Sequence, residues 1–330
     1  MKVLGMGNAL VDMMVTLPDD TLLKELSLQK GSMQLADKEF SNKALAKVSH
    51  LNTVEKSGGS AANTICGLAS LGVETAFIGK IGKDSLGESF QKDLLHYGVK
   101  PLMQFSDSET GLALALVSRN GERTFATYLG AGGEMEPDDL NVSLFAGYTH
   151  FYIEGYLMQH HGLIRKAVEL AKEAGLDVII DMASYNVVED NLEFLHFLVK
   201  EYADIVFANA EEARAYSGEN APEKALAAIA ADCWMSVVKV GAKGSLIQVG
   251  NTVYRVPALP VKCIDTTGAG DLYAAGFLYG MHHNLKHCLC GETGTILAGK
   301  VIEVLGAKIP DEEWQGIQEQ IKKVIYKQAG

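Results

Sequence analysis

The chain has 330 residues, of which 48% are hydrophobic, so it is long enough for two domains or for one domain with an insertion. Its 41 acidic and 29 basic residues give a net charge of −12, which argues against nucleic acid as a partner because phosphate-backbone binders carry basic patches. No apolar run reaches the length of a membrane span, and the five cysteines have no metal-site spacing. We therefore expect a cytoplasmic protein with reduced thiols, either a monomer or a homodimer.

Strand-like and helix-like segments alternate along most of the chain. A short apolar run near the amino terminus is followed by helical patterns at 61–71 and 85–97, with a strand pattern at 75–81 between them. This alternation predicts an α/β fold with a mostly parallel sheet covered by helices on both faces. Further short apolar strands are expected at 149–153, 178–181 and 205–207.

Two regions, 16–37 and 102–129, break the alternation. Asn120-Gly121 lies between two alternating runs and is a strong hairpin signal, with Gly111–Val117 and 123–129 as the expected arms. We expect the two regions to form a small β-sheet lid, with an ordinary β-edge as the alternative. The α/β core would then consist of residues 1–15, 38–101 and 130–330.

The segment Asp265-Thr-Thr-Gly-Ala-Gly-Asp271 combines glycines with an acid at the expected start of a helix. Gly268 and Gly270 allow a tight turn that directs backbone N–H groups toward one point. A helix amino terminus adds unpaired donors and partial positive charge, so the turn predicts an anion-binding site. Asp271 beside that site could accept a proton, although a plain helix-capping turn would have the same composition.

Two common phosphate-binding motifs are absent from the sequence. No Gly-x-x-x-x-Gly-Lys-Ser/Thr occurs, and Gly5-Met-Gly7 begins like a dinucleotide fingerprint but has Leu10 where the third glycine belongs. A dehydrogenase is therefore a weaker hypothesis than a protein that binds phosphate at 265–271.

Two motifs together resemble a known family. Ser57-Gly-Gly-Ser-Ala-Ala-Asn63 resembles the N-terminal signature of ribokinase-like (PfkB) carbohydrate and nucleoside kinases, and 265–271 with 274–277 resembles their C-terminal signature. The two are about 200 residues apart in the family's order, and the resemblance covers nearly the whole chain. It implies a doubly wound α/β core, a β-sheet lid that excludes water, and Mg²⁺-dependent transfer of a phosphoryl group from ATP to a hydroxyl.

The resemblance also implies roles for individual residues. Asp271 would be the catalytic base, with Gly268, Ala269 and Gly270 as the anion hole. Asn209 and Glu212 resemble the family's Asn-x-x-Glu motif, which organises Mg²⁺ through phosphate and water. Residues expected to contact ATP are Asn209, Lys239, Gly241, Gly244 and Thr266. Asp265 and Thr267, with the backbone near Gly306-Ala307, resemble a monovalent-cation site that would hold K⁺.

The N-terminal half resembles adenosine kinases, especially bacterial ones. The opening Gly7-Asn-Ala-Leu-Val-Asp12 is similar to theirs, and the resemblance implies that Asn8 and Asp12 bind ribose or sugar hydroxyls together with Gly58, Gly59 and Asn63. A carboxylate suits this role because its hydrogen bonds to hydroxyls are directional and charge-assisted. Arg123 would approach the transferring phosphate from the lid. Candidates for an apolar slot around a base are Leu10, Met33, Leu35, Phe125 and Tyr185.

The sequence leaves the acceptor open between two classes. Adenosine or a related purine nucleoside, phosphorylated at the 5′-hydroxyl for purine salvage, is our first hypothesis. A free sugar such as fructose or ribose is the second. A non-catalytic nucleoside or sugar sensor is a more distant alternative, which an intact Asp271 disfavours because a sensor needs no base.

Overall fold

The computed structural model describes residues 1–119 and 122–329, so the expected Asn120-Gly121 turn lies outside the described residues. The strands are β1 (Lys2–Met6), β2 (Leu10–Thr16), β3 (Met33–Leu35), β4 (Thr53–Gly58), β5 (Glu74–Gly82), β6 (Lys100–Ser106), β7 (Gly111–Val117), β8 (Arg123–Tyr128), β9 (His150–Glu154), β10 (Asp177–Asp181), β11 (Ala203–Asn209), β12 (Met235–Lys239), β13 (Ser245–Val249) and β14 (Thr252–Val256). The α-helices are α1 (Thr21–Glu25), α2 (Lys38–Val48), α3 (Ser60–Ser70), α4 (Ser85–His96), α5 (His161–Glu173), α6 (Tyr185–Asp190), α7 (Leu192–Tyr202), α8 (Ala210–Ser217), α9 (Pro222–Ala230), α10 (Ala269–His282), α11 (His287–Val301) and α12 (Trp314–Ala329).

A large sheet forms the centre of the molecule, with the strand order β14-β13-β12-β11-β10-β9-β1-β5-β6. All neighbours from β12 to β6 are parallel, and β13 and β14 extend the sheet as antiparallel strands. Successive residues of a strand point to opposite faces, so Val3 and Leu4 belong to different apolar clusters. Helices cover both clusters, and the predicted α/β class is confirmed.

A second sheet of five strands has the order β3-β8-β7-β2-β4. Its hairpin strands β7 and β8 match the predicted arms, with antiparallel pairing of Leu112 with Tyr128. This small sheet packs on a separate apolar cluster that includes Leu17, Leu23 and Leu116.

The membership of this small sheet differs from the expected lid of 16–37 and 102–129. Strands β2 and β4, which we expected in the core, pair with each other here, whereas β6 pairs with β5 in the large sheet. The reason is that β4 is an edge strand with a mostly exposed, polar sequence, so it lacks the alternating apolar pattern of a strand.

The parallel strands bring functional side chains to one edge. Glu154, Asp181, Asn209 and Lys239 are the last residues of β9, β10, β11 and β12, and Asn8 follows β1. Because the carboxyl ends of parallel strands meet at the same edge of the sheet, these polar residues share one crevice, which is where open α/β sheets bind ligands. Within the described ranges, the structure contains no helix long and apolar enough to cross a membrane.

Candidate active site

The anion-binding turn lies at the start of α10. Gly268 precedes the helix with a φ of 75°, and a Cβ there would lie 2.6 Å from the Cβ of Ala307, so only glycine fits. Backbone N–H groups in a first helical turn have no acceptor within the helix and carry partial positive charge. Ala269 and Gly270 occupy this turn as predicted, which makes it suited to bind phosphoryl oxygens.

Asp271 joins the two sequence motifs that we singled out. Its carboxylate accepts hydrogen bonds from Ser60 Oγ (2.7 Å) and from Asn63 Nδ2 (2.9 Å), both in α3. Thr64 Oγ1 also donates to the Asp271 carbonyl oxygen at 3.2 Å. Burial raises the pKa of Asp271 to about 6, against the lowering effect of the two side-chain hydrogen bonds. At neutral pH the carboxylate is therefore mostly ionised. Its raised pKa also makes it a better proton acceptor than an ordinary aspartate, which suits a general base.

Asn63 has a different partner from the one that the resemblance implied. Its Nδ2 is occupied by Asp271, and its buried Oδ1 has no hydrogen-bond partner among the described residues. The side chain can therefore orient the base and still accept a hydrogen bond from a substrate hydroxyl.

The sequence reasoning missed Glu154, a carboxylate that is 1% exposed at the end of β9. It accepts hydrogen bonds from Asn8 N (2.9 Å), Asn8 Nδ2 (3.1 Å) and Ala61 N (2.7 Å). Burial raises its pKa to about 7, while the Ala61 and Asn8 donors lower it. Glu154 thereby ties the loop after β1 to the amino terminus of α3.

Gly58 and Gly59 occupy the turn between β4 and α3. A Cβ on Gly58 would lie 2.6 Å from Oδ2 of Asp12, and Gly59 has a φ of 90°. Asp12 and the Gly-Gly turn are therefore in direct contact, as the resemblance implied. Burial raises the pKa of Asp12 to about 6, and the charges of Lys308 and Arg123 lower it.

Lys239, expected to contact the nucleotide, lies beside the anion-binding turn. A Cβ on Gly270 would be 3.1 Å from its Nζ, and Nζ donates to Asp181 at 3.0 Å. Burial lowers the Lys239 pKa, but the Asp181 and Glu212 carboxylates outweigh it, so the pKa is raised and the amine is charged. A buried cation at this position can stabilise phosphoryl oxygens. The sequence analysis did not identify its partner, Asp181.

Asn209 and Glu212 form a capping box at the start of α8. Asn209 N and Nδ2 donate to the two carboxylate oxygens of Glu212 at 2.7 and 2.5 Å, and Asn209 Oδ1 accepts from Glu212 N at 2.9 Å. Burial raises the pKa of Glu212 to about 7, partly offset by Lys239. The two residues therefore form one hydrogen-bonded unit at the start of α8, and their predicted role toward Mg²⁺ stays a prediction.

The loop between β12 and β13 contains the predicted Gly241 and Gly244. Both have positive φ, 59° and 95°, and Gly244 N donates to Gly241 O at 2.9 Å. The predicted Thr266 belongs to the turn before α10, where its carbonyl oxygen accepts a hydrogen bond from Ala269 N at 3.2 Å.

Arg123 reaches from β8 of the small sheet to the anion-binding motif. Its guanidinium lies 2.5 Å from Asp265 Oδ2 and donates to Thr267 Oγ1 at 2.8 Å, and the Arg123 and Asp265 side chains are only 7% and 6% exposed. Asp265 also accepts from Thr267 N (3.1 Å), Thr267 Oγ1 (2.9 Å) and Gly306 N (2.7 Å). The carboxylate that the resemblance assigned to K⁺ is thus already neutralised by a guanidinium, and these residues do not fit a monovalent cation in this arrangement.

A narrow cavity lies between the small sheet and the start of α10. Of the predicted residues, Asp12, Arg123, Phe125 and Thr267 line it. The sequence analysis missed Lys308, whose buried amine also lines it without a hydrogen-bond partner in the described chain. The other lining residues are Met14, Lys56, Ser57, Ala115, Gly306 and Ala307.

Four predicted base-slot residues do not line this cavity, although one of them, Met33, is the register partner of Phe125, which does. Met33 and Leu35 are 47% and 53% exposed on edge strand β3, Tyr185 is 41% exposed at the start of α6, and Leu10 is half-buried at the start of β2. Their role stays a prediction, since nothing in the described contacts groups them around one ligand.

Comparison with known proteins agrees with this fold. Residues 33–314 match the model of the pfkB family carbohydrate kinases. A probable sugar kinase from Rhizobium etli CFN 42 shares 33% identity, with a TM-score of 0.87 and 98% of each chain covered. Adenosine kinase from Sinorhizobium meliloti shares 34% identity, a TM-score of 0.87, and coverage of 97% of this chain and 98% of that one. Fructokinase from Escherichia coli is 29% identical over 237 residues, which is 68% of this chain and 76% of the relative.

The chain is therefore a phosphotransferase with an alcohol group as acceptor. It belongs to the pfkB family of carbohydrate kinases, whose members use ATP.

The first prediction concerns the base. Replacing Asp271 with Asn should lower kcat by about 10²–10⁴-fold because the hydroxyl loses its proton acceptor. In the wild type, kcat/KM should fall as the pH drops through about 6, where Asp271 becomes protonated. Steady-state ADP release across pH 5–8 would measure both effects, with acceptor binding by calorimetry as the control. Full activity of Asp271→Asn would exclude Asp271 as the base.

The second prediction concerns Glu154. Glu154→Gln should destabilise the protein by about 1–3 kcal/mol, because an amide with one oxygen cannot accept the three buried N–H bonds. Thermal and urea unfolding at pH 8 would measure the loss. Glu219→Gln, an exposed change of the same kind, serves as the control. Equal stability of the two variants would contradict the role of Glu154 as a tie between the loop and α3.

Proposed function

We propose that this kinase phosphorylates the 5′-hydroxyl of adenosine with ATP, giving AMP and ADP, and that it serves purine salvage. The observation that carries the proposal is the pair of hydrogen bonds from Ser60 and Asn63 to Asp271. Ser60 directly follows the Gly58-Gly59 turn, which lies against Asp12 and Asn8, so the predicted hydroxyl-binding groups and the predicted base belong to one connected site. The likeness to Sinorhizobium meliloti adenosine kinase over nearly the whole chain supports the nucleoside.

The chemistry follows from the charges around Asp271. Its ionised carboxylate, held by Ser60 and Asn63, accepts the proton of the attacking hydroxyl. The amides of Ala269 and Gly270 and the ammonium of Lys239 stabilise the negative charge on the transferring phosphoryl oxygens. The attacking and leaving oxygens lie in line, so the residues mainly position and neutralise.

Mg²⁺ fits the nucleotide side of this site. In the described chain no group of three acidic, histidine or cysteine side chains could hold a metal. Glu212 and Asn209 would therefore contact the ion through water, with ATP phosphates as its main ligands, in keeping with the preference of Mg²⁺ for retained waters. When bound, Mg²⁺ supplies charge neutralisation between the phosphates.

Arg123 would stabilise the transferring phosphate from the small sheet, as the resemblance implied. The present ion pair with Asp265 holds its guanidinium next to Thr267, the residue directly before the predicted anion hole. Asp265 thus also keeps the Arg123 side chain extended toward the site. Because the side chain is already ordered, it loses less conformational entropy when it binds phosphate.

A free-sugar substrate is the second candidate. It is favoured by the likeness to Escherichia coli fructokinase. The hydroxyl-binding and base residues would serve a ketose or an aldose equally well, so the two candidates differ in the apolar slot alone. A non-catalytic sensor would not need the Asp271 arrangement.

The third prediction compares acceptors. ADP release should be fastest with adenosine among adenosine, inosine, guanosine, ribose and fructose, measured as kcat/KM at equal ATP. The Asp271→Asn protein, purified in parallel, controls for contaminating kinases. A preference for fructose or ribose would replace adenosine by the sugar hypothesis.

The fourth prediction concerns the monovalent cation. Because Arg123 neutralises Asp265, activity should change less than about twofold when KCl is replaced by tetramethylammonium chloride at equal ionic strength. Arg123→Met should show K⁺-dependent thermal stabilisation, since the vacated carboxylate can then bind a cation. Arg119→Met, a change at an exposed turn residue after β7, should not. Strong K⁺ activation of the wild type would show that the guanidinium does not replace the ion.

A further inference from the structure

A buried carboxylate, Asp181, ends β10 beside the active-site crevice and is 4% exposed. Its Oδ1 accepts a hydrogen bond from Ala183 N at 3.1 Å, and its Oδ2 accepts one from Lys239 Nζ at 3.0 Å. Taking a carboxylate and an ammonium out of water is costly, so such a pair is weak evidence for added stability. A role in the reaction therefore has to be considered for Asp181.

The side chain of Asp181 is held from more than one direction. Tyr152, on the neighbouring strand β9, is fully buried and donates a long hydrogen bond from its phenol to Asp181 Oδ2 at 3.4 Å. Ala183, which donates to Oδ1, has a φ of 65°, a conformation that a residue other than glycine adopts only where its surroundings favour it. Asp181 is therefore a fixed acceptor for the ammonium of Lys239.

Lys239 lies between this acceptor and the base. A Cβ on Gly270 would be 3.1 Å from Lys239 Nζ, and Asp271 is the next residue along α10. The charge of Lys239 lowers the pKa of Asp271, yet in the described chain the ammonium forms its ion pair with Asp181. Because a lysine side chain is flexible, the ammonium could pair with the Asp271 carboxylate if Asp181 were absent.

An ion pair between Lys239 and Asp271 would weaken the site in two ways. A neighbouring cation favours the ionised carboxylate, which then takes the proton of the attacking hydroxyl less readily. The ammonium would also be drawn from Gly270, where it can stabilise charge that develops on the phosphoryl oxygens.

We propose that Asp181 is a positioning residue, which holds the Lys239 ammonium against the anion-binding turn and away from the Asp271 carboxylate. Tyr152 supports Asp181 from β9. The inference rests on the proposed function only through the base and the phosphate-binding turn. It is the same for a nucleoside and for a sugar acceptor.

This arrangement has a consequence for the pKa of the base. The titratable groups that act on Asp271 come from several neighbouring elements and are Asp12, Tyr152, Glu154, Tyr156, Asp181 and Lys239. Among them, Asp181 raises the pKa of Asp271 and Lys239 lowers it. Asp181→Asn removes a raising charge and frees a lowering one, so the pKa of Asp271 should fall below its value of about 6. Lys239→Met should raise it.

The first test is a double-mutant cycle on kcat, with whichever acceptor is turned over. Asp181→Asn should lower kcat about tenfold to a hundredfold, with less than about a twofold change in the acceptor KM, because the groups predicted to bind the acceptor are unchanged. In the Lys239→Met background, Asp181→Asn should have no further effect on kcat, since no ammonium is left to position. Asp181→Glu, which keeps the charge, should restore part of the loss. Asp177→Asn, an exposed change at the opposite end of β10, is the matched control and should behave like the wild type.

The second test follows the base without turnover. Carbon-13 NMR of the aspartate carboxyl groups, with Asp271→Asn to assign the signal, should give a pKa of about 6 in the wild type. The value should be lower in Asp181→Asn and higher in Lys239→Met, whereas a residue that only stabilises the fold would not move it in opposite directions. If these shifts appear while Asp271→Asn keeps full activity, the proposed base is wrong but the placement of Lys239 by Asp181 is supported.

Wild-type kcat in Asp181→Asn, or losses that multiply in the double variant, would overturn the proposal. So would an Asp271 pKa that stays constant or rises in Asp181→Asn. If near-ultraviolet circular dichroism shows that Asp181→Asn does not fold, Tyr152→Phe carries the comparison. It should lower kcat in the wild type and leave the kcat of Lys239→Met unchanged, and equal losses in the two backgrounds contradict the proposal.

Discussion

The hydrogen bonds from Ser60 and Asn63 to Asp271 hold together two helix starts that are far apart in sequence. Each helix begins at a glycine turn, so the residues predicted to bind sugar hydroxyls and those predicted to bind phosphate meet at one carboxylate. Close packing reinforces this contact, since a Cβ on Gly67 in α3 would lie 2.9 Å from the Cβ of Ala275 in α10. In a close-packed interior, adding even one methyl group displaces the neighbouring residues. Small residues along the two helices therefore maintain the geometry of the site.

Buried charges of both signs surround this contact. Asp271 and Asp12 have raised pKa values because burial disfavours their ionised forms, and nearby cations limit the rise. Lys239 lies beside Gly270 at the start of α10, Lys308 and Arg123 line the narrow cavity, and Arg123 also pairs with Asp265. A chain with a net charge of −12 can therefore bind a polyanion such as ATP, because individual cations are positioned within the site even though the molecule as a whole is acidic.

Periodicity predicted the features that depend on regular burial. The large sheet follows from its short apolar strands, and β7 from its alternating run, whereas edge strand β4 carries Glu55 and Lys56 and gives no such pattern. The Asp271 turn was predictable because glycines and an acid must be close in sequence to form it. Glu154 could have been found as an acid directly after a buried strand, at the edge where ligands bind. Lys308 could not, because its surroundings include Tyr97, which is far from it in sequence.

Selection between a nucleoside and a free sugar is a separate problem from catalysis. Under the proposed function, Asp271 and the glycine turn before it would act on atoms that both acceptors share, so these residues would not discriminate between them. Discrimination requires apolar surface that only a base would cover. Met33 and Leu35 are predicted to present such surface on β3, at the edge of the small sheet, where both are about half exposed. Covering two such side chains favours binding by an amount that grows with the apolar area removed from water, and a purine offers more of that area than a hexose does.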